Sequence, residues 1–150
     1  PALTYLRFNI SAGQRERYAE IMGCPAGGFD KICGTIRKCV EIKKRLKLPV
    51  TIGMQMVLMP QFADQIIPLA ELGRELGADY LVIKHCSDDE AGTLKVEYDK
   101  YFQLESLLKQ AEALSTPEYL VKAKWSKIMS GGIILLPRFI IPAPGLRVLP

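Results

Sequence analysis

The sequence predicts an α/β fold with about four parallel strands and covering helices, and three observations carry that expectation. The stretch 50–60 (VTIGMQMVLMP) is bounded by Pro49 and Pro60, and every position suits an apolar interior except Gln55, its one large polar group. It is too short to cross a bilayer and reads as a strand buried on both faces, the mark of a parallel sheet under helices. Second, strand-like and helix-like stretches alternate as β-(short α)-α-β-α-β-α-β, an order that right-handed crossovers turn into parallel strands. Third, polar residues gather at the carboxyl ends of those strands, where parallel α/β folds keep their reacting groups. An open α/β sheet and a (β/α) barrel both satisfy these observations.

Residues 3–11 (LTYLRFNIS) alternate, with Tyr5, Arg7, Asn9 and Ser11 on one face and Leu6, Phe8 and Ile10 on the other. Residues 14–22 predict a short helix stopped by Gly23, and 24–28 (CPAGG) a loop. Asp30 is the expected N-cap of a helix over 31–47, whose stripe runs through Ile32, Ile36, Cys39 and Val40, with Cys33 and Leu46 at its margins. After the central strand, Asp64 is the expected cap of a helix reaching Leu76, with Pro68 near its first turn and Gly77 as a left-handed stop. Residues 80–86 (YLVIKHC) form a third strand, and 87–98 a long polar loop. Asp99 is the expected cap of a helix that turns Leu104, Leu107, Leu108 and Ala111 inward, and 119–125 (YLVKAKW) form a fourth strand.

Composition bounds the function more loosely. At 150 residues the chain is one domain or a piece of one: an α/β unit over 1–129, then an irregular Pro-rich tail over 130–150. That tail has four prolines from 131 on, no acid and no helical or strand period, and reads as a poorly anchored or out-of-frame end. The net charge of +4 is mild, and much of it lies on the helix over 31–47. It reads as a solvated face rather than a nucleic-acid patch, because no aromatic residues interleave with it. The four cysteines match neither CxxC nor CxxxCxxC spacing, and the first ten residues lack a secretory pattern. Free thiols in a reducing cytoplasm, with no membrane segment, are the expectation. The chain opens on Pro1, so an upstream start is also expected.

The strand ends expected to line a cleft are Asn9 and Ser11, 55–61, 84–89 and 125–127. The run from His85 to Glu90 has metal-ligand atom types, yet the chain has one His, and hydrolytic metal sites draw on several; a polar cleft edge is favoured. A Cys86–His85 nucleophile pair is weaker, since neighbours on a strand point to opposite faces. No GxSxG, P-loop or dinucleotide fingerprint is present.

Four segments, LTYLRFNISAG (3–13), FDKICGTIRKCVEIKKRLKLPVTIGMQMVLMP (29–60), ADYLVIKHCSDDE (78–90) and YLVKAKWSKI (119–128), together resemble the radical S-adenosylmethionine superfamily. The similarity covers about 3–129 and is closest to the middle and latter part of the catalytic barrel in members with a SPASM-like or twitch-like auxiliary cluster domain. It implies a partial (β/α) barrel whose first strand here is the barrel's fourth, with Asn9, Ser11 and, deeper, Arg7 toward S-adenosylmethionine. Gln55 and Lys84 or Cys86 would point toward cofactor or substrate. It also implies a [4Fe-4S] cluster, but the CxxxCxxC loop that binds it and the cysteine-rich domain are not in this sequence. The implied protein is therefore a fragment, inactive alone, that pairs with itself or a partner chain through open sheet edges and an open apolar face. Two other classes stay open: a barrel or half-barrel enzyme handling a phosphorylated or carbonyl substrate with Lys84 as base or Schiff-base amine, and a non-catalytic structural or interaction module.

Overall fold

The computed structural model describes residues 3–129, so the expected tail over 130–150 lies outside the described residues. Four strands, β1 (Tyr5–Asn9), β2 (Thr51–Leu58), β3 (Tyr80–His85) and β4 (Leu120–Ala123), form one sheet in that order, and every neighbouring pair is parallel. Between β1 and β2 run α1 (Arg15–Met22) and α2 (Gly27–Leu46). α3 (Ile66–Leu76) joins β2 to β3, α4 (Glu105–Glu112) joins β3 to β4, and α5 (Trp125–Met129) follows β4. Sequential parallel strands with right-handed crossovers put the connecting helices on one face. Accordingly α3 packs against both α2 and α4.

The helix face is a closed apolar core. Ile52, Met54, Met56 and Leu58 of β2 and Leu81 and Ile83 of β3 are buried against Ile36, Ile66, Leu69 and Leu108 of the helices. Each such side chain contributes roughly 1.5–3 kcal/mol by leaving water. Beneath the sheet, Asp79 accepts Lys43 Nζ at 2.6 Å and the Ile52 N–H at 2.6 Å, which ties α2 to the amino ends of β2 and β3.

The expected double burial of the central strand holds, for an asymmetric reason. Helices cover one face of β2; on the other, the Tyr80 ring lies over Gly53 and Arg7 bonds to Gln55. A Cβ at position 53 would sit 2.0 Å from Tyr80 Cζ, so only glycine admits that ring. The rest of this second face carries Tyr5, Arg7, Asn9, Lys84 and Lys122 at half-buried or exposed positions. The expected open face is thus present, but it is polar rather than apolar.

The three expected caps are corrected. α2 starts at Gly27, because a turn begun at Pro25 (Gly28 N–H to Pro25 O, 2.8 Å) runs straight into the helix and Phe29 packs on Tyr18 at 5.5 Å between ring centroids. Asp30 falls inside the first turn and pairs with Arg15 at 2.7 Å. Asp64 belongs to a 3-10 turn, Pro60–Gln65, that precedes α3, and Arg17 takes its carboxylate. Asp99 lies in a second 3-10 turn, Tyr98–Leu104, before α4. The fourth strand ends at Ala123, and Trp125 opens a helix because Glu112 accepts its indole N–H at 3.1 Å and the Ala123 N–H at 2.8 Å.

Candidate functional site

At the helix-free face, parallel register sets Asn9 beside Gln55, Gln55 beside Val82 and Val57 beside Lys84. Side chains of one parity along neighbouring strands share a face, so Arg7, Asn9, Gln55 and Lys84 are brought together. The contacts form a row. Gln55 Nε2 donates to Asn9 Oδ1 at 2.9 Å, Arg7 Nη1 donates to Gln55 Oε1 at 3.2 Å, and Arg7 Nε donates to the Tyr80 hydroxyl at 2.9 Å. The guanidinium carbon also lies 5.7 Å from the ring centres of both Tyr5 and Tyr80. A cavity of about 200 Å³ opens beside this row, lined by Arg7, Gln55, Val82, Lys84 and Lys124.

Ser11, next along the row, is buried, and its Oγ accepts the Val57 N–H at 3.2 Å, which prolongs the pairing of the first two strands. Its hydroxyl proton is left for another acceptor. Lys124 was not among the expected residues, nor were Tyr5 and Tyr80. Their signal was nonetheless available, because counting in twos from Lys84 gives Tyr80, and from Lys122 gives Lys124.

No protein-family model matches this chain, and no curated protein matches it either.

The carboxyl ends of the strands are locked by two further networks. Buried Gln65 accepts the Gly13 N–H at 3.2 Å and donates to Gln14 Oε1 and Asp64 Oδ2, while Arg17 grips Asp64 through two bonds of 2.8 and 2.9 Å. The Arg17 guanidinium holds the Asp64 carboxyl below its ordinary range. After β3, the Tyr101 hydroxyl donates to Leu58 O and accepts the Cys86 N–H, and burial pushes its pKa up to about 12. The following loop wraps around Asp88, whose carboxylate accepts the N–H groups of Asp89, Leu94 and Val96. Those backbone donors, Leu94 and Val96 first, lower its pKa.

The run from His85 to Glu90 therefore orders a loop. His85 turns to the helix face, packs near the rings of Tyr98 and Tyr101, and lies 3.3 Å from Ser87 Oγ. Cys86 is buried, and burial raises its thiol pKa, the reverse of an activated nucleophile. Among the described residues no three His, Cys, Asp or Glu side chains gather as a metal would need. The four thiols are dispersed: Cys33 and Cys39 lie on α2, Cys24 before it and Cys86 after β3. These residues do not fit an iron–sulfur cluster.

Proposed function

We propose that this chain is part of the catalytic barrel of a radical S-adenosylmethionine enzyme, working in a reducing cytoplasm and inactive without the cluster-binding segment. The observation that carries the reading is the hydrogen-bonded polar row Asn9–Gln55–Arg7 on an all-parallel sheet, in the stretches that resemble that superfamily. Asn9, Ser11 and Arg7 would hold the cofactor, with Gln55 fixing the first and third of these and Lys84 facing cofactor or substrate. Asn9 keeps its amide N–H groups and Arg7 its second Nη for a ligand's hydroxyls and carboxylate, so the donor set fits S-adenosylmethionine. Bound beside a reduced cluster held by the cluster-binding segment, that cofactor would take one electron, lose methionine by cleavage of its C–S bond and so supply a 5′-deoxyadenosyl radical for hydrogen abstraction. The described residues do not fit the [4Fe-4S] cluster, whose ligands would lie in that segment.

Support for a partial barrel comes from the edges. β1 and β4 each have one unpaired side in the four-stranded sheet. At the β1 edge an apolar cavity of about 140 Å³ is lined by Leu3, Leu6, Cys39, Ile42, Leu48 and Val50. Leu3 and Ile42 there are 55% and 42% exposed, as expected where a further strand and helix would pack.

Titration with S-adenosylmethionine tests the reading. Saturable binding that weakens about tenfold in Asn9→Ala, with folding unchanged, is expected from losing one well-placed hydrogen-bonding group. No binding to this chain, together with an upstream reading frame that lacks a CxxxCxxC loop, would overturn it.

A further inference from the structure

The cavity beside the polar row has a charge balance that the cofactor reading does not use. Arg7, Lys84 and Lys124 converge on it, and among the described residues no carboxylate pairs with any of the three. Elsewhere Arg15, Arg17, Arg37, Lys43, Lys100 and Lys109 each meet an acid within 3 Å, while exposed cations such as Lys38 and Lys44 on α2 meet none among the described residues.

Arg7 is also ordered in an unusual manner. Its partners are the Tyr80 hydroxyl, the Gln55 amide oxygen and two aromatic rings, all uncharged. Such groups fix the direction of a guanidinium and leave its charge uncompensated, with N–H groups over for a bidentate oxyanion. Gln55 is only 7% exposed and is itself held by Asn9, so the platform beneath the guanidinium is built rather than incidental. Val82 gives the cavity a small apolar wall, and the two lysines that line it stand on β3 and just after β4.

Three cationic side chains around about 200 Å³ make a local excess of positive charge that an anion lying among them would offset. We infer that this cavity is an oxyanion site, built for the doubly charged group of a small ligand, of which a phosphate monoester is the compact form. Its charge at neutral pH is about −1.5 to −2, and its three oxygens can each accept from a different cation. Lys84 then belongs to substrate recognition, with Lys124 as its partner; Arg7, which the cofactor reading also uses, serves both ligands, and Asn9 and Ser11 remain for the cofactor alone. The inference rests on the cavity and stands whether or not S-adenosylmethionine binds.

The test is calorimetric titration of the full chain with inorganic phosphate and, in a separate arm, with succinate. Lys84→Gln and Lys124→Gln are compared with Lys38→Gln on α2 as a control, and urea unfolding verifies that each variant is folded. Phosphate is expected to bind saturably, more tightly than succinate, and about tenfold or more weakly in each cavity variant, the scale of one charge-assisted hydrogen bond. The control should bind as the wild type does. Absence of saturable phosphate binding, or equal losses in Lys38→Gln, would overturn the site. Tighter succinate binding would overturn the phosphate assignment. Phosphate binding without S-adenosylmethionine binding would leave this site standing and remove the cofactor reading; the converse result would do the opposite.

Discussion

Replacing Tyr101 by Phe should loosen the end of the sheet that carries the candidate site. The ring is fully buried beside His85 and Tyr98, and Phe keeps that packing. What is lost is the hydroxyl, which donates to Leu58 O at the end of β2 and accepts the Cys86 N–H at 3.0 Å just after β3. The Cys86 N–H keeps a second acceptor, Leu58 O at 2.8 Å, so it is not orphaned. The net cost is about 1–2 kcal/mol, below the sum of two buried bonds. Urea unfolding at pH 7 measures it directly. A second signature lies at high pH. The folded-state pKa of about 12 exceeds the ordinary value of 10.0, so between them the folded chain holds a proton that the unfolded chain has released. Stability from this group is complete below about pH 10 and is lost as pH rises through 12, a decline of roughly 2–3 kcal/mol. Tyr101→Phe should lack that part of the alkaline slope. Equal stability at pH 7, or parallel slopes for the two proteins from pH 10 to 12, would refute the assigned role of the hydroxyl.

Three further outcomes follow from the same contacts. Gly53→Ala should displace the Tyr80 ring and release Arg7 Nε, costing about 1–2 kcal/mol because the ring can swing toward solvent; unfolding curves and phosphate affinity should fall together. Tyr119→Phe should raise stability by up to about 1 kcal/mol, since the buried hydroxyl has no partner among the described residues, and a loss in thermal unfolding would contradict this. Asp88 is stabilised as the carboxylate, so its contribution is present above the ordinary carboxylate pKa of about 4 and is lost as pH falls through its lower folded value. Protection of the Leu94 and Val96 amides, relative to the intrinsic exchange rate at each pH, should therefore fall in acid, and in Asp88→Ala it should be low already at pH 7.

Most of the architecture was legible because period and punctuation agreed. The alternation in residues 3–11, the apolar run at 50–60 and the left-handed stops at Gly23 and Gly77 all report backbone constraints that no partner needs to supply. The caps were misread for the opposite reason. Asp30 and Asp64 carry the right oxygens for capping, but Arg15 and Arg17 on α1 compete for them, and nothing local to either carboxylate shows that α1 will fold back alongside. Trp125 misled similarly: its β propensity favours a strand, while Glu112, thirteen residues earlier, holds the indole at the start of a helix. The candidate site divides along the same line. Strand parity alone puts Asn9 on the polar face of residues 3–11, whereas Gln55 and Lys84 or Cys86 are implied by the resemblance, and of the last two Cys86 is buried. That Arg7 would be oriented by Tyr80 across Gly53 could be read from neither, because the residue that permits the ring to lie there is marked only by the side chain it lacks. A glycine inside a run of β-formers is read locally as a weak point in the strand. Here it is the opening that lets a tyrosine of β3 reach across β2 to the arginine of β1, and the direction of the Arg7 guanidinium depends on that reach.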